Sequence, residues 1–192
     1  MKDLSLHLLD ILENSAKAGA RRVEISLVPA GNWLELKIRD DGPGLPAAVR
    51  DEPTDPFRTT RAHRPIGLGL PLLRAAAEQT GGCLDIAEPA AGGVALSATF
   101  NFGHIDAKPM GRIEEALMAA MLAWPAMDLV VKLGAEGREI LNTDELRDTL
   151  EGVPLGDPGV QRYLRGQLAE ELDPLYAWAG GVGGPGSFAE QA

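Results

Sequence analysis

Near the start of the chain, apolar residues recur with the period of a helix, at Leu4, Leu8, Ile11, Leu12 and Ala16, which predicts an amphipathic helix over residues 3–18. His7, Asp10, Asn14 and Lys17 fall on its polar face, and Gly19 supplies a stop. The period then shortens. Residues 22–28 and 33–39 read as two strands joined by the turn Pro29-Ala30-Gly31-Asn32, a hairpin. The loop Asp40-Asp41-Gly42-Pro43-Gly44-Leu45-Pro46 leads into a Pro- and charge-rich stretch to Pro65, and Gly67-Leu68-Gly69-Leu70 then opens a helix that runs to about Gln79. Gly81-Gly82 ends it. Two further strands, over residues 83–88 and 94–102, meet across Ala91-Gly92-Gly93 and complete an α+β, two-layer arrangement: a mixed sheet with helices on one face.

A break over residues 104–110, with Pro109 and Gly111 beside each other's ends, marks a boundary, so that residues 1–103 form one domain and residues 104–179 a small α/β appendage. In the appendage the pattern predicts a helix over 112–123, a hairpin of 129–133 and 138–141 around Ala135-Glu136-Gly137, and helices over 143–150 and 158–172. Residues 180–192, rich in glycine, are expected to be a disordered tail.

Composition changes this picture in four ways. The chain has 192 residues, 45% of them hydrophobic, enough for one good core and a second small one without a covalent staple. No apolar run reaches the roughly 18 residues of a membrane span, and Met1-Lys2-Asp3-Leu4 has no signal-peptide layout, so a cytoplasmic protein is expected, with no membrane partner. The single cysteine, Cys83, has no partner for an intramolecular disulfide and is expected to be a small core residue. The net charge of −10 is unevenly spread, with 11 basic and 13 acidic side chains in residues 1–103 but 7 and 15 in residues 104–192. Such acidity disfavours nucleic acid as a ligand, because phosphate backbones require a basic face.

Three short motifs carry the candidate chemistry. Asp10 and Asn14 are four apart and point the same way from one helix; an Asn offers a neutral oxygen to a magnesium ion, and an Asp a carboxylate to a nearby water or hydroxyl. Asp40, at the end of a strand, can accept a hydrogen bond from the amino group of an adenine while Gly42 and Gly44 let the backbone approach the ring. Gly67 and Gly69 precede a helix whose first N–H groups and dipole favour phosphate. Each motif alone is more often a solvated helix face or an ordinary turn.

Together, in this order, they resemble the N, G1 and G2 boxes of the gyrase, Hsp90, histidine kinase and MutL (GHKL) ATPase superfamily over about residues 4–102. The resemblance implies the Bergerat ATP-binding fold with ATP and Mg²⁺ as cofactors. It makes Asn14 the magnesium ligand, Asp40 the adenine-reading carboxylate with Gly42 and Gly44 beside it, and Gly67, Leu68, Gly69 and Leu70 the phosphate loop. Lys17 joins the nucleotide-binding set, and Phe57-Arg58-Thr59-Thr60-Arg61 is similar to the segment before the lid of histidine kinases, which places Thr60 and Arg61 near the phosphates. Two positions depart from the pattern. Asp10 stands where the gyrase, Hsp90 and MutL branches carry a Glu that acts as general base, and Val94 stands where many members have a Thr that supports the adenine site.

The chain as a whole looks like a group of small stand-alone bacterial ATP-binding proteins with this domain. In histidine kinases the phosphate acceptor lies on a helical domain ahead of the ATPase domain, whereas here the ATPase pattern begins within a few residues of Met1, so self-phosphorylation on His is not expected. His7 is expected at the helix surface or the site edge. Three functions remain: a kinase that transfers phosphoryl to a partner protein in trans with Asp10 as the catalytic residue, an ATP-driven switch with slow hydrolysis, or a nucleotide sensor without chemistry. Residues 104–179 are expected either to dock a protein partner or a second copy of the chain, forming a homodimer, or to be a passive extension.

Overall fold

The computed structural model describes residues 1–47, 50, 52–54 and 69–182. Helix α1 (Leu4–Ala18) is capped by Asp3, whose side chain accepts from Leu6 N–H, and ends at Gly19 in the left-handed region. It is followed by β1 (Arg22–Ala30), β2 (Trp33–Asp40), α2 (Gly69–Glu78), β3 (Leu84–Ala87) and β4 (Ala95–Asn101). The second half adds α3 (Ile113–Ala123), β5 (Asp128–Leu133), β6 (Arg138–Asn142), α4 (Thr143–Thr149) and α5 (Pro158–Val182).

Among the described residues all the strands form one sheet in the order β3-β4-β2-β1-β5-β6. The pairs are antiparallel except β1 with β5, where the chain returns through α3 and a parallel partner becomes reachable. Strict alternation decides which face is covered: Val23, Ile25 and Leu27 of β1, Leu34, Leu36 and Ile38 of β2, and Leu96, Ala98 and Phe100 of β4 are buried. They share a single core with Leu8 and Leu12 of α1, Leu73 of α2, Leu117 and Met121 of α3, and Leu168 and Leu172 of α5. The intervening residues, Glu24 and Ser26, Glu35 and Lys37, Ser97 and Thr99, populate the opposite, polar face. Each fully buried Leu contributes about 1.5–3 kcal/mol of transfer free energy. The stretch from residue 104, set apart in sequence by its acidity, continues this same sheet and core.

Three local features differ from expectation. Helix α5 does not stop at Leu172 but passes through Pro174 to Val182, so residues 180–182 are helical; residues 183–192 of the expected tail lie outside the described residues. An interior proline costs about 3 kcal/mol. Burial of Leu175 and Val182 offsets it, as do the Tyr176 hydroxyl, which accepts from Ile113 N–H at 2.7 Å and donates to Glu114, and Trp178, which donates to Gly31 O at 2.8 Å and packs on Phe102 at 5.3 Å between ring centroids. Cys83 is exposed rather than in the core, because it precedes β3 at the edge of the sheet and its thiol faces Asp85 and Thr99.

The third is His7, which is 1% exposed rather than at the helix surface. It is inserted beside a cavity of about 10 Å³ lined by Leu4, Ala76, Thr80, Phe100, Phe102, Ala107 and Lys108, and neither ring nitrogen has a partner among the described residues. Burial pushes its pKa down to about 4, helped by the positive N-terminus and Lys108 and opposed by Asp3. The native state therefore resists a proton that the unfolded chain takes up near pH 6.5. Above that pH the group is neutral in both states; stability falls as the pH drops from about 6.5 to about 4 and then levels, a loss on the order of 3 kcal/mol. Urea titrations at pH 7, 5 and 4 are expected to show this loss in the wild type and to lack it in His7→Leu; parallel pH profiles for the two proteins would refute it.

Candidate functional site

Four chain segments converge beside the C-terminal end of α1. Asp10 and Asn14 occupy successive turns of that helix, and Asn14 Nδ2 donates to Asp10 Oδ2 at 3.4 Å. The start of α2 lies directly on them: a Cβ added at Gly69 would fall 1.9 Å from Asp10 Oδ2 and 3.5 Å from Asn14 Nδ2. A side chain at Gly69 would have to displace the Asp10 carboxylate, and this close approach brings the N-terminus of α2 against the Asp10–Asn14 pair.

Asp40 closes β2 and is held on every side. Its Oδ1 accepts from Gly42 N–H at 2.9 Å and Val94 N–H at 3.1 Å, and its Oδ2 accepts from the Ser15 hydroxyl at 2.9 Å. Its backbone N–H in turn donates to Val94 O at 2.9 Å. Ser15, 4% exposed and adjacent to Asn14, thus ties α1 to the end of β2. This serine lies outside the three motifs. Ser97 instead bonds Glu35 at 3.3 Å, and Thr99 accepts from Cys83 N–H at 3.1 Å, both away from Asp40. The usable signal was the i+1 position after Asn14, which turns inward on the helix.

The neighbouring Asp41 does structural work. Its Oδ1 accepts from Arg21 N–H at 2.7 Å and Arg22 N–H at 2.9 Å. Partial desolvation pushes its pKa up, but those backbone donors and the Arg21 charge pull it down further, leaving the carboxyl below its ordinary value. The turn between β3 and β4 backs the loop from the other side: Gly93 has φ +80, and a Cβ there would overlap Asp40 O at 1.8 Å.

The structure therefore brings together Asp10, Asn14, Asp40, Gly42 and Gly69. Gly44 lies at the far end of the same loop, beside Glu88. Leu70 packs against the core from the first turn of α2. Lys17 lies on the exposed last turn of α1, ion-paired with Glu13. Thr60, Arg61, Gly67 and Leu68 lie outside the described residues.

Known proteins resemble this chain. The family model for the histidine kinase-, DNA gyrase B-, and HSP90-like ATPase matches residues 2–104. The sensor protein PhoQ of Escherichia coli K12 is 31% identical over 96 residues, 50% of this chain and 20% of that protein. A putative sensor histidine kinase NtrY-like of Rickettsia bellii is 27% identical over 97 residues, 50% of this chain and 15% of that protein. The chain thus spans a fifth or less of the length of these relatives. In fold, the ATPase domain of Aquifex aeolicus MutL complexed with ADP superimposes with a TM-score of 0.51 at 14% identity, covering 79% of this chain and 70% of that one. With the helix, hairpin and loop of that family in place, the chain belongs to the histidine kinase-, DNA gyrase B- and HSP90-like ATPases and carries their ATP-binding domain.

Proposed function

We propose that the protein binds Mg-ATP and acts as a kinase-type phosphotransferase on a partner protein in trans. The observation that carries this is the Asp10–Asn14 pair at 3.4 Å, set against the first residue of α2, a carboxylate and an amide oxygen placed where a terminal phosphate would meet a helix N-terminus. Their hard oxygen donors suit Mg²⁺, which keeps most of its waters and takes one or two protein ligands plus phosphate oxygens. Asn14 would be the ligand, and the ion would neutralise charge on the phosphates. Asp40 and Ser15 would hold the base and Thr60, Arg61 and the phosphate-loop residues Gly67 and Leu68 the phosphates.

In this scheme an acceptor oxygen or nitrogen on the partner attacks the γ-phosphorus, the bond to the β-phosphate oxygen breaks, and ADP leaves with the electron pair. Asp10 orients the acceptor and takes its proton. Its side chain is one methylene shorter than the Glu of the hydrolytic branches, which leaves more room for a bulky acceptor than for a water held at the same carboxylate. Among the described residues the histidines offer no phosphoacceptor: His7 is buried, and His104 lies in the link after β4, paired with Asp106. The acidic second half would dock the partner or a second copy, and a reaction that consumes ATP would suit the cytoplasm. No helix among the described residues is long and apolar enough to cross a membrane.

A conformational switch is the second reading, favoured by one chain of contacts. Asp41 binds Arg21 and Arg22 N–H, and Arg21 O accepts from Asp128 N–H at 2.7 Å at the start of β5, so the nucleotide loop is wired to the second half. Incubation with γ-labelled ATP and Mg²⁺ separates the two, following labelled protein and free phosphate for wild type, Asn14→Ala and Asp10→Asn. Label on an added partner that falls at least about 100-fold in both variants supports the kinase. Free phosphate without protein label, lost in the same variants, supports the switch. Wild-type protein that fails to bind ATP refutes both.

A further inference from the structure

Glu88 lies in the turn between β3 and β4, outside every motif of the family, yet both of its carboxylate oxygens are committed to the loop that follows Asp40. Oε1 accepts from Leu45 N–H at 2.7 Å, and Oε2 pairs with Arg50 Nε at 2.9 Å. Arg50 closes the ring by donating from its NH2 group to Leu45 O at 3.1 Å. The carboxylate also occupies the space where a side chain on residue 44 would start: a Cβ at Gly44, φ +88, would lie 2.4 Å from Oε1. The φ itself favours glycine at this position.

The same turn touches the near end of the loop through Val94 N–H to Asp40 Oδ1, Asp40 N–H to Val94 O, and the overlap that forbids a side chain at Gly93. The loop from Asp40 to Leu45 is therefore gripped twice by one turn, at the base-reading carboxylate and, five residues on, at Leu45. A loop with free glycines at positions 42 and 44 has many conformations available, and holding both ends removes that entropy before a ligand arrives.

We propose that Glu88 is a positioning residue for the nucleotide: it holds the Gly42–Gly44 backbone in the shape that receives the base, and so sets affinity at the base end rather than at the phosphates. This rests on the ATP-binding reading above and adds to it a residue from outside the family's boxes. Because the grip is on the base side, its loss should weaken ATP, ADP and adenosine by the same factor. A residue that contacted phosphate, directly or through Mg²⁺, would spare adenosine.

Titration calorimetry of the full chain with each of these three ligands tests it, on wild type, Glu88→Ala and Glu88→Gln, with thermal midpoints as the control for folding. Glu88→Ala is expected to raise Kd about fivefold to tenfold for all three ligands, with little change in midpoint because Glu88 is on the surface. Glu88→Gln keeps an oxygen for Leu45 N–H but loses the ion pair with Arg50, and is expected to recover most of the affinity, to within about twofold of wild type. An unchanged Kd in Glu88→Ala, a loss confined to ATP, or equal losses in Ala and Gln would overturn the assignment while leaving ATP binding intact. Wild-type protein that binds none of the three would overturn the ATP reading itself.

Discussion

Asp40→Asn is expected to weaken ATP binding by about 100-fold or more, the largest loss of affinity from any single isosteric change in this protein. The carboxylate has three donors aimed at it, Gly42 N–H, Val94 N–H and the Ser15 hydroxyl. An asparagine amide turns one of its oxygens into an NH₂ group, so at least one donor meets another donor in a half-buried site. If the NH₂ replaces Oδ1, two backbone groups lose their acceptor; if it replaces Oδ2, the Ser15 hydroxyl must reverse and the 6-amino group of adenine meets a donor. Either way the loop from Asp40 to Gly44 loses its register and the base loses its anchor. Calorimetry with ATP and with adenosine should show losses of similar size, because the defect is at the base. Ser15→Ala is the milder companion, with an expected loss of about fivefold to tenfold, since Oδ2 then keeps only the ligand as a donor. Wild-type affinity in Asp40→Asn would mean that the base is read elsewhere.

Gly93→Ala should be the most destabilising single-methyl addition near the site, by about 4 kcal/mol or more. The new Cβ would overlap a backbone carbonyl, Asp40 O, at 1.8 Å, and its neighbours in the way are Asp40 C at 2.7 Å and the Asp41 Cα at 3.2 Å. Backbone cannot rotate aside as a long side chain can. The φ of +80 adds a conformational penalty of roughly 1–2 kcal/mol for any L residue with a side chain. Relief requires β2 and β4 to part where Asp40 N–H and Val94 O are bonded, which is also where the Asp40 carboxylate is held. A fall in thermal midpoint of about 10 °C or more is expected, with ATP affinity lost in parallel. Gly69→Ala offers a contrast at a nearly equal overlap of 1.9 Å, because there the obstacle is the Asp10 carboxylate, a side chain that can swing away. A midpoint within a few degrees of wild type for Gly93→Ala would show that the two loops are not locked together.

Much of this was legible along the chain. The helix of Leu4, Leu8, Ile11 and Leu12, the alternating strands around Gly31 and the three motifs are local patterns, governed by period and by residues with strong backbone preferences. Their order was enough to suggest the family, and Asp10, Asn14, Asp40 and Gly69 do meet in space. The hairpin of β5 and β6 was visible as two strands, but not its destination. The partner of a strand depends on which edge is left open, and β1 exposes one because β2 pairs only its other side. Parallel pairing through α3 has no local signature.

The misplaced residues share a cause. His7 was assigned to a polar face because its type is polar, but α1 is flanked by α2 and the 104–110 link as well as backed by the sheet, so a side chain off the main apolar stripe is still enclosed, here by Ala76, Thr80 and Lys108. Cys83 was assigned to the core because its type is often buried, but it stands where the sheet ends. The helical pattern ends at Leu172, and contacts from Tyr176 and Trp178 to residues far away in sequence carry α5 past it through Pro174. Ser15 is marked in one dimension only by following Asn14, and Glu88 by nothing: each matters because of an oxygen that reaches the loop at Asp40–Leu45, and those distances exist only once β2, β4 and α1 are in place. By itself the sequence determined the elements, the alternation of the first strands and the motifs that mark the family, because period, turns and motif order are short-range properties of the chain. Only the tertiary structure decided the union of both halves in one sheet, the burial of His7 and the grip on the nucleotide loop, because those depend on contacts between residues brought together from distant points.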